Sequence, residues 1–188
     1  MNLSSLKRVN FKTIKTNFQE GFKNLAEGGF RQIFNRIDQL GIKKGVDSMG
    51  IDKFINQCAY LAAGSGLVTG VGGVSTMLIG TPVDVINLIT QQFRVTLAIS
   101  YHYTGKSRIS FDNFFKIVAS SVKADTQLAI SKNIMEEVAE KILMGLGSKA
   151  MRRLVPVVGG VIGGTINYLF IKKIGKELME QHKLRHEH

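Results

Sequence analysis

Residues 62–94 read AAGSGLVTGVGGVSTMLIGTPVDVINLITQQFR. Between Phe54 and Phe93 the only formal charge is Asp84. Glycine is dense in the first half, at Gly64, Gly66, Gly70, Gly72, Gly73 and Gly80, and Thr81-Pro82 then punctuates the run. Two structures compete for such a stretch. Residues 57–80 hold 24 residues without a charge, more than the roughly 20 a transmembrane helix needs. Each glycine, however, costs a helix about 1 kcal/mol relative to alanine, and Ser65, Thr69, Ser75 and Thr76 dilute the hydrophobicity. A helix of this composition is stable only where another surface packs tightly against it.

The glycines indicate that surface. Gly66 and Gly70 are four apart, as are Gly159 and Gly163, and Gly160 and Gly164, in a second apolar stretch at residues 154–170, LVPVVGGVIGGTINYLF. Small residues at i and i+4 flatten a helix face and let two backbones approach closely. The expectation is a close-packed helical hairpin whose glycine face meets residues 154–170. A hairpin of residues 57–101 inserted in a bilayer is the alternative. VTGVGG is not a phosphate loop, because no GxxxxGK[ST] is present and no strand precedes a GxGxxG pattern.

Thr81-Pro82-Val83-Asp84 reads as a helix start, with Thr81 as N-cap, Pro82 at the first position and Asp84 complementing the dipole. The helix should run to about Tyr103, with Gly105 as its C-cap. Asp84, Asn87, Gln91 and Arg94 recur at steps of three and four, a polar stripe on a helix otherwise made of Val, Ile, Leu and Phe. Such a stripe is an exposed face, a buried polar network or a ligand-contacting site.

Outward from this centre, the whole chain reads as helical. Residues 6–40 place Phe11, Ile14, Phe18, Phe22 and Leu25 on one face, then Phe30, Ile33, Phe34, Ile37 and Leu40 after Gly28-Gly29. Gly41 is expected to end that helix, residues 45–50 to form a loop, and Asp47 or Ser48 to cap the next helix from about Ile51. Ser110 should cap a helix carrying Phe111, Phe114, Phe115 and Val118 on its apolar side. Residues 125–147 follow, with Leu128, Ile130, Ile134, Val138, Ile142 and Leu143 inward and Glu136, Glu137 and Glu140 on a solvated face. The domain plan is a basic amphipathic region at 1–53, a helical domain at 54–178 and a polar tail at 179–188. In that tail, His182 and His186 have a metal-like spacing but lack a third ligand, so neither metal nor cofactor is expected.

Charge is unevenly spread over a chain of 188 residues with a net +11. Residues 1–53 carry ten Lys/Arg against five Asp/Glu, residues 54–104 one of each, and residues 105–153 nine against five. Basic flanks around an apolar middle suit a partner with negative surface charge, anionic lipid or nucleic acid. Nucleic acid is disfavoured, because the charge lies on several segments and no recognition motif is present. Cys58 is the single cysteine, which excludes an internal disulfide and suits a reducing compartment. Residues 1–22 hold no uninterrupted apolar run of the kind a secretory signal needs, so a cytoplasmic location is expected.

In three places the chain resembles the EcsC family: residues 62–94, the YHYTG at 101–105, and residues 152–170, RRLVPVVGGVIGGTINYLF. Pro156, Gly159, Gly163, Asn167 and Tyr168 match the late family segment, and the likeness covers about residues 55–178. The family turn places Asp before Pro, whereas here Pro82 precedes Asp84. The resemblance implies an all-helical, single-domain bundle, cytoplasmic and peripheral to the membrane, and brings no catalytic residues with it. The candidate ligand set is Asp84, Asn87, Gln91, Arg94 and Asn167. The function expected first is a non-catalytic protein binding anionic lipid or an apolar ligand between glycine-faced helices; the alternatives are an enzyme acting on a hydrophobic substrate through the stripe, or a regulatory partner of a membrane protein. The enzyme reading lacks GxSxG, HExxH or a metal cluster.

Overall fold

A computed structural model describes residues 25–64, 83–124, 130–145 and 160–186. Among these residues it is all-α: seven α-helices and no strand, following a π-type turn at Leu25–Gly29. The helices are α1 (Phe30–Arg36), α2 (Gln39–Met49), α3 (Ile51–Ala63), α4 (Val83–Thr104), α5 (Phe111–Ser121), α6 (Lys132–Gly145) and α7 (Gly160–His186). The first helical face, residues 6–24, the Gly66/Gly70 pair, Gly159 and the Thr81-Pro82 cap lie outside the described residues.

Helix α4 is the axle. Every residue from 85 to 100 is buried except Arg94, which is half-buried. One side of it meets α3 and α7, which also pack closely on each other; α1, α2 and α5 cover the rest. Phenylalanines weld the α1–α4–α5 side. Phe93 meets Phe114 edge-on at 4.7 Å, Phe34 meets Phe111 edge-on at 5.5 Å, and Phe30 lies 5.8 Å from Phe93 and 5.6 Å from Phe115. Tilted and edge-on pairs of this kind add about 0.5–1.5 kcal/mol each beyond the area they bury. Gln39 closes the same side, donating to Ile109 O at 3.3 Å and accepting from Ile109 N at 3.0 Å.

The expected C-terminal end of α4 and start of α5 hold. Gly105 takes φ 68° and its N–H bonds Tyr101 O at 2.8 Å, while the Ser110 hydroxyl accepts from Asn113 N at 3.3 Å. Phe111, Phe114, Phe115 and Val118 are all buried, as are Ile134, Val138 and Ile142 of α6. Glu137 pairs with Lys141 at 2.6 Å, one turn along α6.

The reading of residues 37–50 is corrected. The break comes at Ile37, whose backbone is extended (φ −76°, ψ 122°), and not at Gly41. Residues 45–49 are helix rather than loop, and α2 runs through both Gly41 and Gly45. These glycines admit neighbours: a Cβ on Gly45 would sit 2.7 Å from the Phe54 ring, and one on Gly41 2.6 Å from Asp38 Oδ2. The real stop is Gly50, at φ 82°, which ends α2 and starts α3. Asp47 does not cap α3. It pairs with Lys43 and accepts the Tyr101 hydroxyl at 2.7 Å, fastening α2 to α4, and Ser48 donates to Gly45 O at 3.1 Å. The Lys43 hydrogen bond, then that of Tyr101, holds the Asp47 carboxyl below the usual range.

Residues 179–186, expected as a polar tail, continue α7. Tyr103 holds them: its ring stacks on His182 at 5.0 Å and its hydroxyl donates to Met179 O at 3.4 Å. No helix among the described residues is long and apolar enough to cross a membrane.

Candidate functional site

The polar stripe of α4 sits where α3 ends. Asn87 is 2% exposed and Gln91 3%, so at these positions the stripe is a buried network. Asn87 donates to Leu61 O at 2.9 Å; Gln91 donates to Asn87 Oδ1 at 3.1 Å; Arg94 donates to Gln91 Oε1 at 3.1 Å. The guanidinium also lies 5.5 Å from the centre of the Phe54 ring on α3. Each acceptor in this chain is satisfied by the next residue on the stripe, because steps of three and four stack side chains on one face. Asp84 occupies the first turn of α4, and its side chain lies outside the described residues.

Asn167 approaches the same helix end from α7, donating to Ala62 O at 3.2 Å. The last carbonyls of a helix have no partner within it. Two asparagines from two other helices thus take up Leu61 O and Ala62 O. Gly164 reaches the next carbonyl: a Cβ there would lie 2.7 Å from Ala63 O, a contact only glycine allows. Of the glycine pairs, Gly160, Gly163 and Gly164 are helical within α7, and Gly164 is in contact with the C-terminus of α3. Four of the five candidate ligand residues therefore converge on one junction and are engaged there with protein groups.

Cys58, on α3 beside this network, is fully buried. Burial pushes its thiol up to about 11 from 9.0, partly offset by the nearby charge of Arg94. A thiol held neutral in this way is a packing group, not a nucleophile. Gln92, one residue along from Gln91, is different again: it is completely buried and neither atom of its amide has a hydrogen-bond partner among the described residues.

Outside the junction, two exposed side chains and the half-buried Tyr168 lie on the adjoining helices α3 and α7, an arrangement that no sequence pattern announced. Tyr60 is 67% exposed and Leu169 59%, while Tyr168 packs its ring 5.0 Å from that of Tyr60. One turn further along both helices, Lys172 donates to Asn56 Oδ1 at 2.6 Å. Lys53 and Lys176 are exposed on the same two helices. The patch was illegible because Tyr60 and Tyr168 are 108 positions apart and each reads singly as an ordinary surface tyrosine. Among the described residues no group of three His, Cys, Asp or Glu could hold a metal ion.

The fold and the site define an all-α bundle with a buried polar junction at the end of α3 and an aromatic, lysine-flanked patch outside it. Comparison of the chain with protein-family models, with curated proteins and with solved structures gives no match.

Proposed function

We propose that this is a non-catalytic protein that associates peripherally with anionic membrane surfaces, through the patch formed by Tyr60, Tyr168 and Leu169 with Lys172 and Lys53 at its edge. The observation that carries the reading is the exposure of Tyr60 (67%) and Leu169 (59%) on two adjoining helices that also carry Lys172 and the exposed Lys53. Tyrosine favours the headgroup layer, where its ring is apolar and its hydroxyl wet, and lysines close to an anionic surface contribute about 1 kcal/mol each. The net charge of +11 adds a long-range attraction of the same sign. Helix α3 ends at Ala63, next to the patch, and the sequence that follows carries no charge before Asp84. The likeness to the EcsC family points the same way.

Lipid is assigned to this outer surface rather than to a slot between glycine-faced helices, since at Gly164 the two backbones already touch. Flotation with vesicles tests the proposal. The protein should rise with phosphatidylcholine vesicles containing phosphatidylglycerol at low salt, and much less with phosphatidylcholine alone. The double variant Tyr60→Ser/Leu169→Ser should bind the anionic vesicles several-fold more weakly. No binding at low salt, or equal binding by the double variant, overturns it.

A further inference from the structure

A second feature lies on the opposite side of α7. The end of α5, the second half of α6 and the middle of α7 enclose an open-sided cavity of about 320 Å³. Its wall is apolar at Val122, Ile142, Phe170, Ile174 and Leu178. Its polar lining residues are Lys123, Lys141, Lys173, Ser121, whose hydroxyl donates to Val118 O at 2.6 Å, and one acid, Glu177. Lys141 is committed to the protein, donating to Lys123 O at 2.6 Å and pairing with Glu137 at 2.6 Å, so it ties α6 to the end of α5. Lys173 sits only loosely against Glu177, at 3.7 Å. Of the three lining lysines, Lys123 and Lys173 thus remain for an anion.

Lys123 stands where glycine is the usual choice. It adopts φ 58° at the end of α5, its N–H bonds Ser120 O at 3.0 Å, and the N–H of Ala124 bonds Ala119 O at 2.8 Å. This is the left-handed residue that closes a helix, and a side chain there carries a steric cost that glycine avoids. The helix end alone does not call for a lysine.

We infer that this cavity binds a single-chain amphiphile with an anionic head, the carboxylate or phosphate oxygens meeting Lys123 and Lys173 and the hydrocarbon lying against Phe170, Ile142, Ile174 and Leu178. The volume is at the lower end of the roughly 300–1,000 Å³ of small-molecule sites, which suits one chain rather than a two-chain phospholipid. A free inorganic anion would leave the apolar wall unused. A nucleotide would find one ring, Phe170, and no further stacking surface among the residues lining the cavity. The site shares anionic-lipid chemistry with the proposed membrane surface but uses none of its residues.

Calorimetric titration of the full chain with dodecanoate below its micellar concentration, without vesicles, tests this. Saturable binding of one dodecanoate per chain is expected, with dodecanol, the same chain without the charge, at least tenfold weaker. Lys123→Gly should weaken dodecanoate about tenfold while the unfolding midpoint stays or rises, because glycine relieves the left-handed residue. Lys173→Gln should weaken it as well. Equal binding of dodecanoate and dodecanol, parent affinity in Lys123→Gly, or inorganic phosphate competing as well as dodecanoate overturns the inference. Tyr60→Ser/Leu169→Ser should keep dodecanoate binding, and Lys123→Gly should keep vesicle flotation, so that either proposal fails independently of the other.

Discussion

Helix α7 has two working faces, and they are built on opposite plans. Toward α3 it presents Gly164 and Gly175, and the gap closes to backbone contact; Asn167, Tyr168 and Lys172 each find a particular partner. Toward α5 and α6 it presents Phe170, Lys173 and Glu177, whose length holds the helices apart and leaves about 320 Å³. One face is complete with protein atoms alone. The other is open, at the cavity proposed above to take an amphiphile. The contrast separates what holds the fold from what is available for function, and the sharpest way to break it is to disturb the closed face.

Gly164 and Gly175 make that disturbance graded. A Cβ at Gly164 would sit 2.7 Å from Ala63 O, which is backbone at a helix end; one at Gly175 would sit 2.8 Å from Ile55 Cγ2, the end of a side chain that can turn away. Alanine gains each helix position about 1 kcal/mol, and an overpacked contact costs about 1–3 kcal/mol or more when nothing yields. Gly164→Ala should therefore lose about 2–3 kcal/mol in urea unfolding, and Gly175→Ala should stay within about 1 kcal/mol of the parent. Equal effects would mean that the junction is plastic, and the two faces of α7 would then differ only in side-chain length.

Cys58 reports on the same closed face through pH. Its folded value, pushed up to about 11, stands above the 9.0 of the open chain. A raised value means that the folded state favours the neutral thiol. Its contribution is whole below pH 9 and is lost as pH climbs through 11. Two pH units at 1.36 kcal/mol each set the loss at about 2–3 kcal/mol. Stability measured from pH 8 to pH 11 should fall more steeply for the parent than for Cys58→Ala. Parallel curves would mean that the Cys58 thiol is not kept from water in the folded chain.

The sequence was most legible where the determining contacts are local. Ser110, the Phe111/Phe114/Phe115/Val118 face and Gly105 all declare themselves within one or two helical turns, and the structure uses each as expected. Glycine was the ambiguous letter. Gly50 ends a helix because it needs φ 82°, whereas Gly41 and Gly45 lie inside one because Asp38 and Phe54 come close, and nothing in the local sequence separates these roles. Asp47 was misread for the same reason: its hydroxyl partner, Tyr101, is 54 residues away. The stripe on α4 was visible as a spacing, but its three meanings differ only in what stands opposite. Here that is the end of α3, with Leu61 O accepting from Asn87. The lysine-rimmed cavity left no trace beforehand, because it joins the end of one helix to the middles of two others and its marker, Lys123, is a conformation rather than a motif.

Gln91 and Gln92 carry the comparison of a closed and an incomplete face onto α4, at adjacent positions. Gln91 has a donor and an acceptor partner, in Arg94 and Asn87. Gln92, just as buried, has neither among the described residues. By helical spacing Gln92 shares a stripe with Ile99 and Tyr103, the residue that reaches α7 at Met179 and His182, so it lies away from the asparagine network. A buried amide left unpaired costs about 1–3 kcal/mol, and leucine of similar size removes the cost and adds apolar burial. Gln92→Leu should thus gain about 1 kcal/mol in urea unfolding, against a loss of about 1–2 kcal/mol for Gln91→Leu, which strips Asn87 and Arg94 of their partner. The sign is what matters. A gain places the closed, fully satisfied side of α4 at α3 alone; a loss of similar size would mean that Gln92 has a buried partner of its own, and that the helix is satisfied on both sides.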